Sequence, residues 1–284
     1  MVPSLASHRI VRAELEARVP DLLVDKQDRF TVLTINRPER MNSLGGTVMS
    51  DLQDAMSEFN ADPSQRVVIV TGAGERAFSA GADLKELASK NESTGAGQLP
   101  MSRNPDIGGL AASEKPVIAA VNGLAVAGGM EIAISCDIRI ASENAYFGVF
   151  EVKRGFLAGV AVNVLPRLMP LGAVMDLMLS ADRMSAQDAY RLGLVQAVTA
   201  PGDLMDAAVK KAEMIAQNSL AAVMGTKAVL KYWRDNQIAD QQRYYEAVIH
   251  RVLLSGDFLE GPRAFAEKRE PTFSNGWPDP FDAR

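Results

Sequence analysis

Two short runs built almost wholly from β-branched and small apolar residues constrain this chain more than any other feature. They are Arg66–Thr71, ended by Gly72, and Lys115–Val121, ended by Asn122-Gly123. A strand with one wet face alternates apolar and polar residues, whereas a continuous apolar run needs both faces covered, as in a parallel sheet flanked by other layers. Asp137–Ala141 reads as a third such strand after one short helix. Phe30–Ile35 alternates in the manner of a half-buried strand, and Thr47–Asn60 has helical apolar spacing up to Asp62-Pro63. The expected class is α/β with a mostly buried sheet, and the pattern alone leaves both an open sheet and a spiral possible.

Downstream, a helix begins at the capping residue Ser185 and stops at Gly193, before a short strand at Leu194–Val198. Four helices are expected after Gly202, over 203–218, 220–234, 239–254 and 257–268. A helical turn is expected at 84–87, and 91–109 is rich in Gly, Ser, Asn and Pro, so 88–113 reads as an irregular lid. The N-terminus up to Asp28 lacks a continuous apolar segment and mixes acids with arginines, unlike a targeting sequence. The organisation expected is a leader at 1–22, a core domain at 23–218 and a C-terminal helical region at 219–284.

Composition removes several function classes. A net charge of −5 without a basic stripe argues against a nucleic-acid partner. No apolar run approaches the roughly 18 residues needed to cross a bilayer. The lone cysteine, Cys136, excludes an internal disulfide, fits a cytoplasmic setting and reads as a small core hydrophobe. With only His8 and His250, and no Cys/His cluster at metal-binding spacing, neither a histidine triad nor a metal site is expected, and acid–base work falls to carboxylates, Lys or Tyr.

Gly72-Ala73-Gly74-Glu75-Arg76-Ala77 satisfies a loose dinucleotide fingerprint, but a second small-residue turn follows it where a helix is required. Two Gly/Ala-rich turns, 79–83 and 122–129, follow buried strands and lead into helices. Such turns either close helix–strand packing or present backbone amides, here those of Ala82 and Gly128, to a developing oxyanion. Glu131 lies within the otherwise apolar 130–134, where a carboxylate needs a reason beyond the helix dipole. Glu151 follows the strand-like 146–150 and precedes Gly155 and Gly159.

The chain resembles the crotonase, or enoyl-CoA hydratase, superfamily. The resemblance rests on Asn36-Arg37-Pro38, on 77–85 (AFSAGADLK), on 115–123 (KPVIAAVNG), on Gly128-Gly129-Met130-Glu131 and on Cys136-Asp137-Ile138. It continues through Phe147-Gly148 with Glu151, 185–189 (SAQDA), Gly193-Leu194-Val195, and Glu260-Gly261 with 265–269 (FAEKR), so it spans nearly everything after the leader. It implies a spiral of ββα turns, a C-terminal helical region for trimer packing, and a homotrimer or dimer of trimers. It also implies an acyl-CoA thioester substrate, with coenzyme A as part of the substrate and no permanently bound cofactor.

On the matching positions, the resemblance makes Ala82 and Gly128 the oxyanion hole, Glu131 and Glu151 the catalytic acids, and Gly159 a water-positioning amide. Coenzyme A contacts would fall to Arg40, Ala80, Ala82, Asp83, Leu84, Phe265 and Lys268, with Asp83 also organising its own turn. The 158–163 segment (AGVAVN) departs from the family's usual Gly-Gly pair. Two retained glutamates favour hydration of a trans-2-enoyl-CoA. The alternatives are an enoyl-CoA isomerase, a thioester hydrolase, a decarboxylase, or a non-catalytic acyl-CoA- or RNA-binding scaffold.

Overall fold

A computed structural model of the chain describes residues 19–87, 89, 106–254 and 256–273. In chain order the strands are β1 (Leu22–Lys26), β2 (Phe30–Ile35), β3 (Val67–Gly72), β4 (Ala77–Ser79), β5 (Val117–Val121), β6 (Leu124–Val126), β7 (Ile138–Ser142), β8 (Tyr146–Gly148), β9 (Met184–Ser185) and β10 (Ala197–Thr199). The helices are α1 (Val48–Ala61), α2 (Gly128–Ser135), α3 (Ala161–Val164), α4 (Leu171–Ser180), α5 (Ala186–Arg191), α6 (Leu204–Ala216), α7 (Leu220–Leu254) and α8 (Asp257–Glu267).

Among the described residues ten strands form two sheets, a larger one ordered β1-β2-β3-β5-β7-β10 and a smaller one ordered β4-β6-β8-β9. Strands β3, β5 and β7 pair in parallel in the first sheet, and each hands the chain by a short turn to β4, β6 and β8, which pair in parallel in the second. A helical segment then returns the chain to the first sheet. The ambiguity left by the strand pattern is resolved as a spiral of ββα turns.

The apolar runs are continuous because both faces of the large sheet are covered. Val68, Val70, Val117, Ala119 and Val121 turn toward the space shared with the small sheet and α1. Val67, Ile69, Ile118, Ala120 and Ile140 turn to the other side, where α6 meets them with Leu204, Ala208, Ala212 and Ala216. Small residues at every fourth position let α6 approach closely.

The would-be dinucleotide motif is a strand-to-strand turn. A Cβ on Gly72 would stand 2.3 Å from the Ala77 carbonyl oxygen, so β3 folds straight back into β4 with no helix start for a pyrophosphate. Asn122 Nδ2 donates to the carbonyls of Gly72 (2.9 Å), Gly74 (2.6 Å) and Ala77 (3.1 Å), stapling this turn to the equivalent one after β5.

Several expectations need correction. The loose N-terminal segment does not persist to Asp28: β1 pairs antiparallel with β2 from Leu22 to Lys26, and Asp21 is buried. The two helices expected at 220–234 and 239–254 are the single α7, since residues 235–238 (DNQI) contain neither Gly nor Pro to break it. The last strand of the large sheet lies at Ala197–Thr199 rather than Leu194–Val198. Most of the expected loop at 91–109, and His8, lie outside the described residues.

Candidate active site

Two backbone turns meet at the carboxyl ends of neighbouring strands. Strands β4 and β6 pair with Ser79 beside Ala125, and Ala82 and Gly128 each lie three residues beyond that pair. A Cβ on Gly81, at φ +79, would stand 2.7 Å from the Gly128 nitrogen, and one on Gly128 would stand 3.6 Å from the Ala82 nitrogen. The two turns therefore pack backbone against backbone. Among the described residues neither the Ala82 nor the Gly128 amide is donated to an internal acceptor. Ala127, immediately before α2, has φ 50 and ψ −126, a costly conformation for a residue with a Cβ.

The other glycines of these turns have packing roles. A Cβ on Gly129 would meet the Ser79 carbonyl oxygen at 2.0 Å, so α2 rests directly on β4. The packing reading thus holds for Gly129.

The turn bearing Ala82 is held by a buried web of charges. Asp83 Oδ1 accepts from the Lys85 (3.2 Å) and Glu86 (3.4 Å) amides and caps the following helical turn, as its sequence context implies. Its Oδ2 lies 3.3 Å from Nη2 of the buried Arg37 and 3.3 Å from Nη1 of the half-exposed Arg40. Arg37 also donates to Glu86 (2.8 Å) and to the Ser43 carbonyl (3.0 Å). Burial would raise the Asp83 pKa, but the two amides and two guanidinium groups outweigh it and hold the carboxyl below its usual range. Leu44, next to Ser43, pairs with Ala82 in a parallel bridge, so the web is tied to the amide-bearing backbone.

Glu131 lies in the first turn of α2, where its Oε1 accepts from the Val160 (2.8 Å) and Ala161 (3.2 Å) amides, with the Gly159 amide facing the same carboxylate. Burial raises its pKa and these amides oppose the rise. Glu151, in the 3-10 turn Glu151–Arg154, is treated differently: its Oε2 is buried without a hydrogen-bond partner. Burial first, and the neighbouring Glu131 charge second, push its carboxyl up to about 8. Of two acids close enough to feel each other, Glu131 has the amides of Gly159, Val160 and Ala161 turned to its carboxylate, while in Glu151 the amides of Phe150 and Glu151 itself oppose burial less than fully and the carboxyl is kept protonated at neutral pH.

The Val160 and Ala161 amides carry no side-chain signature, so the sequence pointed only to Gly159. Asn163, fully buried, donates from Nδ2 to the Gly159 carbonyl (3.0 Å) and steadies this stretch. Cys136 is a core residue, as expected, its thiol pushed up to about 12 by burial.

Of the remaining predicted contacts, Ala80, Ala82, Asp83, Leu84 and Arg40 come together around one turn, with the Ala80 amide donating to the Met41 carbonyl (3.0 Å). Phe265 and Lys268 lie at the far end of α8. The Phe265 ring faces Arg154 at 4.5 Å, and among the described residues no hydrogen bond, ion pair or ring contact joins either residue to Arg40 or Asp83.

Known proteins resemble this chain over most of its length. A family model described as enoyl-CoA hydratase/isomerase matches residues 25–276. An (E)-benzylidenesuccinyl-CoA hydratase from Thauera aromatica is 39% identical over 251 residues, 88% of this chain and 97% of that protein. A short-chain-enoyl-CoA hydratase from Clostridium acetobutylicum is 36% identical, with 88% and 96% covered. A carnitinyl-CoA hydratase crystal structure from Mycobacterium avium superposes with a TM-score of 0.79 at 35% identity, covering 90% of this chain and 99% of that one.

Proposed function

The chain belongs to the enoyl-CoA hydratase/isomerase family, and from that premise we propose that it adds water across the double bond of a trans-2-enoyl-CoA thioester to give the 3-hydroxyacyl-CoA. The observation that carries this reading is the division of labour between its two glutamates. Glu131 has its anion hydrogen-bonded by amides, while Glu151 has an unpartnered oxygen and a pKa raised to about 8. Hydration needs one carboxylate and one carboxylic acid at the same time.

The thioester carbonyl accepts hydrogen bonds from the Ala82 and Gly128 amides, which stabilise the charge that moves onto its oxygen as the double bond is attacked. Glu131 takes a proton from water as the water oxygen bonds to Cβ, and Gly159, whose amide faces the same carboxylate, helps hold that water. Glu151 delivers its proton to Cα. Dehydration reverses both transfers, and a proton passed from Glu131 back to Glu151 resets the site for hydration.

Coenzyme A is bound as part of the substrate, with no retained cofactor. Arg40, half-exposed beside Asp83, supplies a cation for its phosphates, and Phe265 and Lys268 close on its far end. The protein is read as a cytoplasmic homotrimer or dimer of trimers. Exposed Val229, Leu230, Tyr232 and Trp233 on α7, and Leu171, Met175 and Leu179 along one face of α4, support burial of these surfaces between copies. No helix among the described residues is long and apolar enough to cross a membrane.

Crotonyl-CoA tests the reading, with loss of the conjugated thioester absorbance followed for the wild type and for Glu151→Gln. Rapid loss in the wild type and loss slowed by about 10² to 10⁴-fold in the variant are expected. Equal rates in the two proteins would remove Glu151 from the chemistry.

A further inference from the structure

The turn that carries Glu151 is held in place by α8. The Phe156 amide donates to the Glu151 carbonyl (3.0 Å), so the residues just after the turn fix the residue that opens it. Arg154, Gly155 and Phe156 are in turn gripped by α8. A Cβ on Gly261 would stand 2.1 Å from the Arg154 carbonyl oxygen, and one on Gly155, at φ +71, 2.4 Å from the Asp257 carbonyl group. Phe258, 7% exposed, meets Phe156 edge-on at 6.4 Å and 66°. The Arg154 guanidinium lies 4.5 Å from the Phe265 ring centroid. Two backbone-to-backbone contacts at glycines leave α8 little freedom to slide without moving the turn.

We infer that α8 is a positioning element of this chain's own active site: by seating Arg154, Gly155 and Phe156 it sets where the Glu151 carboxyl points and shields it from water. The inference rests on the hydratase reading for its kinetic readout only. The charged groups around the turn are Glu131 from α2, Lys153 and Arg154 in the turn itself, and Asp257 and Glu270 from α8 and the segment after it. Lys153 is turned away, its ammonium donating to the Ala181 carbonyl (2.6 Å). Among the described residues no ion pair reaches the Glu151 carboxyl. Burial and Glu131 therefore raise its pKa, against the opposing backbone amides of Phe150 and Glu151 itself.

The test uses the full chain with Gly261→Ala, and Phe258→Leu as a milder variant that still reports if the first does not fold. The readouts are kcat and KM for crotonyl-CoA between pH 6 and 9, and the thermal midpoint over the same range. Displacing α8 should lower kcat at neutral pH by about tenfold or more. KM should change little, and the alkaline limb should move down by about one pH unit as water reaches Glu151. A helix serving only stability would lower the midpoint uniformly and leave kcat and the limb in place in the folded variant, and that result overturns the inference.

If the wild type hydrates no enoyl-CoA, the functional reading fails while this one can still be read from stability. Glu151→Gln changes the slope of midpoint against pH, and that change should shrink in the Gly261→Ala background if α8 shields the carboxyl. An unchanged slope difference would count against α8.

Discussion

Replacing Glu151 with Gln should make the protein more stable and nearly inactive, and the size of the gain follows from the site. An unfolded glutamate titrates near 4.5, whereas in the fold Glu151 holds its proton up to about 8. Below 4.5 both states are protonated and the residue costs nothing. Between 4.5 and 8 the unfolded state ionises while the folded state does not, so stability falls as pH rises, by about 1.4 kcal/mol per unit. At pH 7 the penalty reaches about 3 kcal/mol at most, and about 2 kcal/mol allowing for solvent that reaches a partly buried carboxyl. Glutamine does not titrate, so the variant should melt about 4 to 8 °C higher at pH 7 and show a flatter dependence of midpoint on pH. Scanning calorimetry from pH 5 to 8, beside turnover on crotonyl-CoA, measures both effects. Midpoints of variant and wild type that run parallel across this range would refute the reasoning, because Glu151 would then not be held protonated.

Gly128→Ala places a methyl 3.6 Å from the Ala82 nitrogen and 3.1 Å from a Leu44 methyl that can move, so it should cost about 10² to 10³-fold in kcat with a small change in midpoint. Gly129→Ala, 2.0 Å from the Ser79 carbonyl oxygen, should instead destabilise the fold, and chemical denaturation separates the two outcomes. Asp83→Ala leaves the buried Arg37 short of a partner and should cost about 3 kcal/mol, whereas Arg40→Ala, at a 46% exposed side chain, should cost under about 1 kcal/mol and act mainly on KM. Glu131→Gln should lower hydration by about 10² to 10⁴-fold, and full activity in that variant on a 3-enoyl-CoA would point to isomerisation.

How far the sequence reveals this architecture depends on what each element must bury. β3, β5 and β7 are legible because both faces are covered, so their residues are apolar throughout. β1 is not, because it is an edge strand with four exposed residues of five, and its LLVDK reads as part of a leader. β4, β6 and β9 have at most three residues each, too few for any period, and their pairing is set by the strands before and after them. Both glutamates stand out as acids in apolar surroundings, but the amides that reach Glu131 from Val160 and Ala161, and the burial that raises Glu151, leave no side-chain signature, since any residue but proline supplies an amide. The grip of α8 on the Glu151 turn is equally hidden, since Gly155 meets Asp257 and Gly261 meets Arg154 across more than a hundred residues of chain.

The shared register of β4 and β6 has a consequence for tolerance. Adjacent strands in a sheet are spaced about 4.8 Å apart, and an oxygen accepting two amides about 2.9 Å from each needs donors separated by less than about 5.8 Å. On the roles proposed for Ala82 and Gly128, the ladder between Ser79 and Ala125 acts as a ruler that sets the gap between their two amides before any ligand arrives. Changes to the atypical 158–163 segment, whose Val160 and Ala161 amides reach Glu131, lie elsewhere in the chain from that ruler. Such a molecule can drift in what it accepts while the gauge for the carbonyl oxygen stays fixed.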